Sequence, residues 1–113
     1  MIKGKVVLVP FPFDDLSSTK VRPAVCLTNP IGLYEHIILA FVTSKIPGNL
    51  LATDIVLDTT HPDFTTSGLH KPSTIRLDHL MTVRKSIIRR ELGELSLETQ
   101  AQIADKLCQM LTE

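Results

Sequence analysis

The sequence predicts a mainly β domain, a small antiparallel barrel packed against one C-terminal helix. Three observations carry this. Short apolar, β-branched runs recur through residues 5–91, and Pro, Gly and Asn punctuate them. The apolar spacing changes to three and four residues only after Ser96. The chain has 113 residues, which allows one domain, and a chain of its 12.5 kDa buries about two-thirds of its unfolded surface.

The elements follow in chain order. Residues 5–9 are β-rich and end at Pro10-Phe11-Pro12, where proline removes backbone donors. Residues 13–20 are a polar loop. Residues 24–27 are almost wholly apolar, as suits a strand buried on both faces. Asn29-Pro30-Ile31-Gly32 is turn chemistry. Residues 37–42 form a second buried strand, Pro47-Gly48-Asn49 breaks the chain, and residues 53–57 form a short strand. Residues 59–71 are long and irregular and hold Pro62 and Gly68. Residues 73–83 alternate, with Ile75, Leu77 and His79 on one side and Thr74, Arg76, Asp78 and Leu80 on the other. This separates His79 from Asp78. Residues 86–91 form the last strand. Ser96 is the helix N-cap, and Glu98 suits the positive end of the helix dipole. Leu97, Ala101, Ala104, Cys108 and Leu111 make the apolar face expected to pack on the sheet.

Composition narrows the function classes. Hydrophobic residues are 43% and charged residues 21%, which excludes a wholly disordered chain. The apolar runs are too short to cross a bilayer, and the first one stops at Pro10, unlike a secretory segment. A cytoplasmic protein is expected. Cys26 and Cys108 lie far apart in apolar stretches and read as buried free thiols. No Cys/His spacing calls for a metal, and no cofactor motif is present. Net charge is zero but unevenly spread: residues 71–90 are net +5 and residues 91–113 net −4. Such a chain can present a local cationic face or a salt-bridged strand surface.

Three groups of residues can carry chemistry. Pro23 holds Arg22 extended at the mouth of a buried strand, where a guanidinium can clamp a phosphate or close the strand end on Asp14 or Asp15. Thr43-Ser44-Lys45 leave a buried strand and can line a phosphate pocket or simply form a polar exit. Arg76 and Asp78 share a strand face about 6.6 Å apart, as base and charge stabiliser or as a surface ion pair. His36, His61, His70 and His79 lack partners or spacing that would single one out, although His61 and His70 flank the long loop.

In combination these pieces resemble the MazF/PemK toxin family. The likeness runs through Gly4-Lys5-Val6-Val7-Leu8-Val9, Phe11 and Phe13, Arg22-Pro23-Ala24-Val25, Val42-Thr43-Ser44, Ser67-Gly68-Leu69 with Pro72-Ser73, Arg76-Leu77-Asp78 and the tract from Ile88 to Leu95. It covers almost the whole chain; each motif is short, and their order carries the specificity. The resemblance implies an SH3-like barrel that forms a homodimer. It implies a metal-independent endoribonuclease on single-stranded RNA, held inactive by a cognate antitoxin. It places Arg22, Thr43, Arg76 and Asp78 in the catalytic site. A histidine that some members carry in the first loop has no counterpart in residues 13–20. RNA selection would fall to residues 13–20, 45–50 and 59–71, with Phe13, Lys20, Ser44 and Lys45 as contacts and Phe13 and Phe64 as stacking candidates. With Asp78 as base, Arg22 and Arg76 on the phosphate and Thr43 donating to a non-bridging oxygen, the product would be a 2′,3′-cyclic phosphate. The proton donor to the leaving oxygen stays unassigned between Arg22 and water. The alternative is a non-catalytic toxin of the same fold, which traps a topoisomerase or only binds its antitoxin.

Overall fold

The computed structural model describes residues 1–10 and 20–113. Six strands run in the order β1 (Lys5–Pro10), β2 (Val21–Cys26), β3 (His36–Thr43), β4 (Asp54–Leu57), β5 (Ser73–Arg84) and β6 (Arg90–Glu94), and α1 (Leu97–Thr112) follows. All pairings are antiparallel, and the sheet order is β4-β5-β3-β2-β1-β6. The sheet curls into a half-barrel. Among the described residues, no helix is long and apolar enough to cross a membrane.

Both faces of the sheet are apolar, as the β-branched runs require. On one face Val6, Val25, Ala40, Val42, Ile75 and Leu77 pack with Leu57, Leu69 and Leu95, and Ile103 of α1 covers them. On the other, Val7, Val9, Ala24, Cys26, Ile37 and Leu39 pack with Ile87 and Ile88. Ala24, Val25 and Cys26 are all buried, so β2 is covered on both sides.

Two sequence expectations fail in this region. Residues 86–91 are not one strand. Lys85–Ile87 forms a 3-10 turn, Ile88 donates its backbone N–H to the Lys85 carbonyl, and pairing with β1 resumes only at Arg90. The strand then runs on to Glu94 because Gly93 lies against the backbone of Thr66 and Ser67, where a Cβ would clash. The irregular segment is thereby fixed: Glu94 donates its N–H to Thr66 at 2.9 Å.

The helix face is the second correction. Ser96 caps α1 as expected, its hydroxyl accepting from the Thr99 N–H at 3.2 Å. The buried positions are Thr99 and Ile103, with Leu107 half-buried. The face formed by Leu97, Ala101, Ala104, Cys108 and Leu111 points to solvent, and Leu97 is 82% exposed. Cys26 is buried as expected and Cys108 is not. Burial, aided by the Glu91 charge, pushes the Cys26 thiol up to about 11.

Candidate functional site

Strand register gathers the candidate residues. Ala24 pairs with Phe41, Phe41 with Arg76 and Arg76 with Asp54, a single row across four strands. Paired residues share a face, as do residues two apart on one strand. Arg22 lies two residues before Ala24, and Thr43 two after Phe41 on the antiparallel neighbour. Arg22, Thr43, Thr74 and Arg76 therefore stand on one face at one end of the sheet. Two strand spacings across and two residues along separate the backbones of Arg22 and Arg76 by about 12 Å.

Thr43 and Thr74 pair directly and pin the turn beyond. The Thr43 hydroxyl accepts from the Lys45 N–H at 3.3 Å, and the buried Thr74 hydroxyl donates to the Lys45 carbonyl at 3.0 Å. Ser44 and Lys45 are held exposed at this edge, and Lys20 is exposed at the start of β2. Arg22 is half-buried and engaged with other groups of the protein. Phe13, Asp14 and Asp15 lie outside the described residues.

Arg76 sits between two carboxylates. Its Nε is 3.0 Å from Oδ1 of Asp54, whose side chain is 0% exposed, and 3.5 Å from Oδ1 of Asp78. The contact with Asp54 is an ion pair whose angle lies outside hydrogen-bond geometry. Asp54 also accepts the Leu51 N–H at 3.0 Å through Oδ2. The sequence reading missed Asp54; its signal is a carboxylate that opens a strand otherwise apolar through Leu57.

His79 also departs from the sequence expectation. The β3–β5 register jumps between Ala40 and Phe41, so residues 77–79 of β5 have no partner on β3. The bulge breaks the alternation that would keep His79 away from Asp78. Its Nε2 lies 3.7 Å from Oδ2 of Asp78, and its side chain is 59% exposed. Asp78 is thus flanked by a guanidinium and an imidazole.

The other aromatic and histidine candidates take structural positions. Phe64 packs against the core under α1. His61 accepts the Asp63 N–H through Nδ1 at 3.0 Å. His70 is exposed.

The architecture is that of a small half-barrel with one C-terminal helix. Residues 2–111 match the family described as PemK-like, MazF-like toxin of type II toxin-antitoxin system, and the chain belongs to that family. No curated protein matches the sequence closely. Among solved structures, the fold is similar to the Mycobacterium tuberculosis toxin MazF-mt6, at 21% identity and a TM-score of 0.71 over 95% of each chain. A mycobacterial endoribonuclease in complex with its cognate antitoxin aligns at 17% identity and TM-score 0.69, covering 98% of this chain and 94% of that one. MazF from Deinococcus radiodurans aligns at 19% identity and TM-score 0.68, covering 100% and 97%.

Proposed function

We propose that this toxin is an endoribonuclease that cuts single-stranded RNA without a metal ion, and that a cognate antitoxin holds it inactive. The observation that carries the reading is the meeting of Arg76, Asp78 and His79 on the bulged part of β5, at the same sheet end and face as Arg22 and Thr43. Membership of the family and the similarity to named endoribonucleases support it.

The chemistry needs no external nucleophile. Asp78 accepts the proton of the ribose 2′-hydroxyl as that oxygen bonds to phosphorus. Arg22 and the guanidinium of Arg76 stabilise the charge on the crowded phosphorane. Both carboxylates meet Arg76 at Nε, the nitrogen nearest the chain, and the phosphate takes the outer, Nη edge of the fork in this reading. Thr43 already accepts from Lys45, so its own hydroxyl proton is available to a non-bridging oxygen. His79 fills the role the sequence left open. An imidazolium beside Asp78 can protonate the 5′ oxygen as the P–O bond breaks. The products are a 2′,3′-cyclic phosphate and a 5′-hydroxyl. Phe13, Lys20, Ser44 and Lys45 are assigned to RNA contact, and the active molecule is a homodimer.

Purified protein incubated with long single-stranded RNA in EDTA tests this. Discrete fragments ending in cyclic phosphate are expected. Arg22→Ala should slow cleavage by about 10²-fold or more, by analogy with loss of one oxyanion donor. Asp78→Asn should keep the fold and lose rate. His79→Gln should slow cleavage, and a substrate with a sulfur leaving group at the 5′ position, which needs no proton donor, should restore its rate. Intact RNA with the unmodified protein would overturn the proposal and favour a binding toxin.

A further inference from the structure

The basic run of residues 71–90 is only partly used by the site above. Arg84 and Lys85 stand at the far end of β5, and Arg89 lies where the chain crosses back to β1, its N–H donated to the Leu8 carbonyl. There His36, Thr82, Arg84, Ser86, Ile87 and Arg89 line an open concavity of about 690 Å³. His36 and Arg84 face each other across the β3–β5 ladder. No carboxylate among the described residues lies within ion-pair distance of Arg84, Arg89 or Arg90. The nearby Glu35 is matched with Lys85 at 4.0 Å.

An aromatic ring stands beside these cations. The Arg84 guanidinium lies 4.9 Å from the centre of the Tyr34 ring, and the His36 ring meets Tyr34 edge-on at 6.3 Å. Tyr34 is 60% exposed, on a turn that the backbone holds firmly. Ile31 and His36 exchange hydrogen bonds of 2.8 and 3.0 Å, and Lys85 donates its N–H to the Glu35 carbonyl at 2.9 Å. Glu35 itself takes a φ of 52°, which turns the chain sharply into β3.

We infer that this concavity is a second binding site for single-stranded RNA, remote from the scissile phosphate. Arg84 and Arg89 hold backbone phosphates through planar, fork-like donors, and Thr82 and Ser86 add hydroxyl donors. A base stacks against the Tyr34–Arg84 platform, which is how single strands are gripped without sequence preference. The aromatic platform favours RNA over an acidic peptide, which would use the cations and leave the ring idle. Arg76 and Arg84 pair with Phe41 and His36, five residues apart on β3, so their backbones stand about 17 Å apart. The site therefore takes nucleotides several steps from the cut and contributes to affinity for long substrates. The choice of RNA as ligand rests on the proposed nuclease reading.

The test is titration of a fluorescein-labelled single-stranded oligodeoxynucleotide, which lacks the 2′-hydroxyl and cannot be cut. Arg84→Glu with Arg89→Glu should weaken binding of a long oligonucleotide at least tenfold. The slope of log affinity against log salt should shrink by about 0.7 for each phosphate the variant no longer neutralises. Tyr34→Ala should weaken binding without changing that slope. A short RNA covering only the cut step should be cleaved at an unchanged rate. Arg84→Lys with Arg89→Lys should keep most of the salt slope, and thermal melts of all variants confirm the fold. Unchanged affinity and slope in the glutamate variant would overturn the inference. So would an effect seen only with a polyglutamate peptide. A wild-type protein that binds the oligonucleotide through these arginines yet cuts no RNA would overturn the nuclease reading and leave this site standing.

Discussion

At Arg76 one guanidinium answers two carboxylates in different surroundings. Asp54 is sealed from solvent and accepts a backbone N–H, whereas Asp78 is one-third exposed and has an imidazole beside it. Burial makes the two acids unequal. Removing one partner of a buried ion pair leaves the other charge uncompensated, a loss of about 3 kcal/mol or more. An exposed pair contributes about 0–1 kcal/mol. Asp54→Ala should therefore lower the free energy of urea unfolding by about 3 kcal/mol, and Asp78→Asn should barely change it. Equal losses in the two variants would contradict this division between a buried carboxylate that holds Arg76 and a partly exposed one proposed to react.

At the scale of elements, β5 and α1 each do something that periodicity alone does not show. Slipping three residues of β5 out of register turns Asp78 and His79 towards each other without ending the strand. The start of α1 is tied to the irregular segment by Asp63. Its Oδ2 accepts from the Ser96 N–H and the Ser96 hydroxyl, both at 2.9 Å. Burial pushes the Asp63 carboxyl up, but the hydrogen bonds from Thr99 and Ser96, with the His61 charge, together hold it below the ordinary carboxylate range. A carboxyl lowered in the folded state stabilises above its unfolded pKa, and the gain disappears as pH falls through the folded value. Asp63→Ala should cost about 1–2 kcal/mol at neutral pH, the scale of a lost cap. Its deficit against the wild type should shrink on acidification. A deficit that grew in acid would show that Asp63 acts otherwise.

At the scale of the whole molecule, several apolar side chains remain uncovered. Ile46, Leu50 and Leu51 in the β3–β4 connection and Leu80 on β5 are all exposed. Where such residues are contiguous they mark association surfaces, and the proposed homodimer would bury some of them. Light scattering of the purified protein should give twice the 12.5 kDa chain mass, and Leu80→Glu should shift it towards the monomer. A monomer at all concentrations would remove the homodimer from the proposal. The proposed second RNA site belongs to this scale too, since its Arg84 lies at the opposite end of β5 from Arg76 and the proposed reacting groups.

The sequence by itself determined the mainly β class, the first five strands in their order and the Ser96 cap, and it singled out Arg22, Thr43, Arg76 and Asp78 as candidates. These are local matters of β-branching, proline, capping and motif spacing. It could not decide which helix face turns inward. Leu97 and Leu111 satisfy the helical period as well as Ile103 and Leu107 do, and only contact with β1, β2 and the irregular segment distinguishes them. Nor could it reveal Asp54 beneath Arg76, His79 beside Asp78 or Tyr34 beneath Arg84. Each of these pairs depends on strand register, a bulge or a turn, and those are set by packing between segments rather than within them.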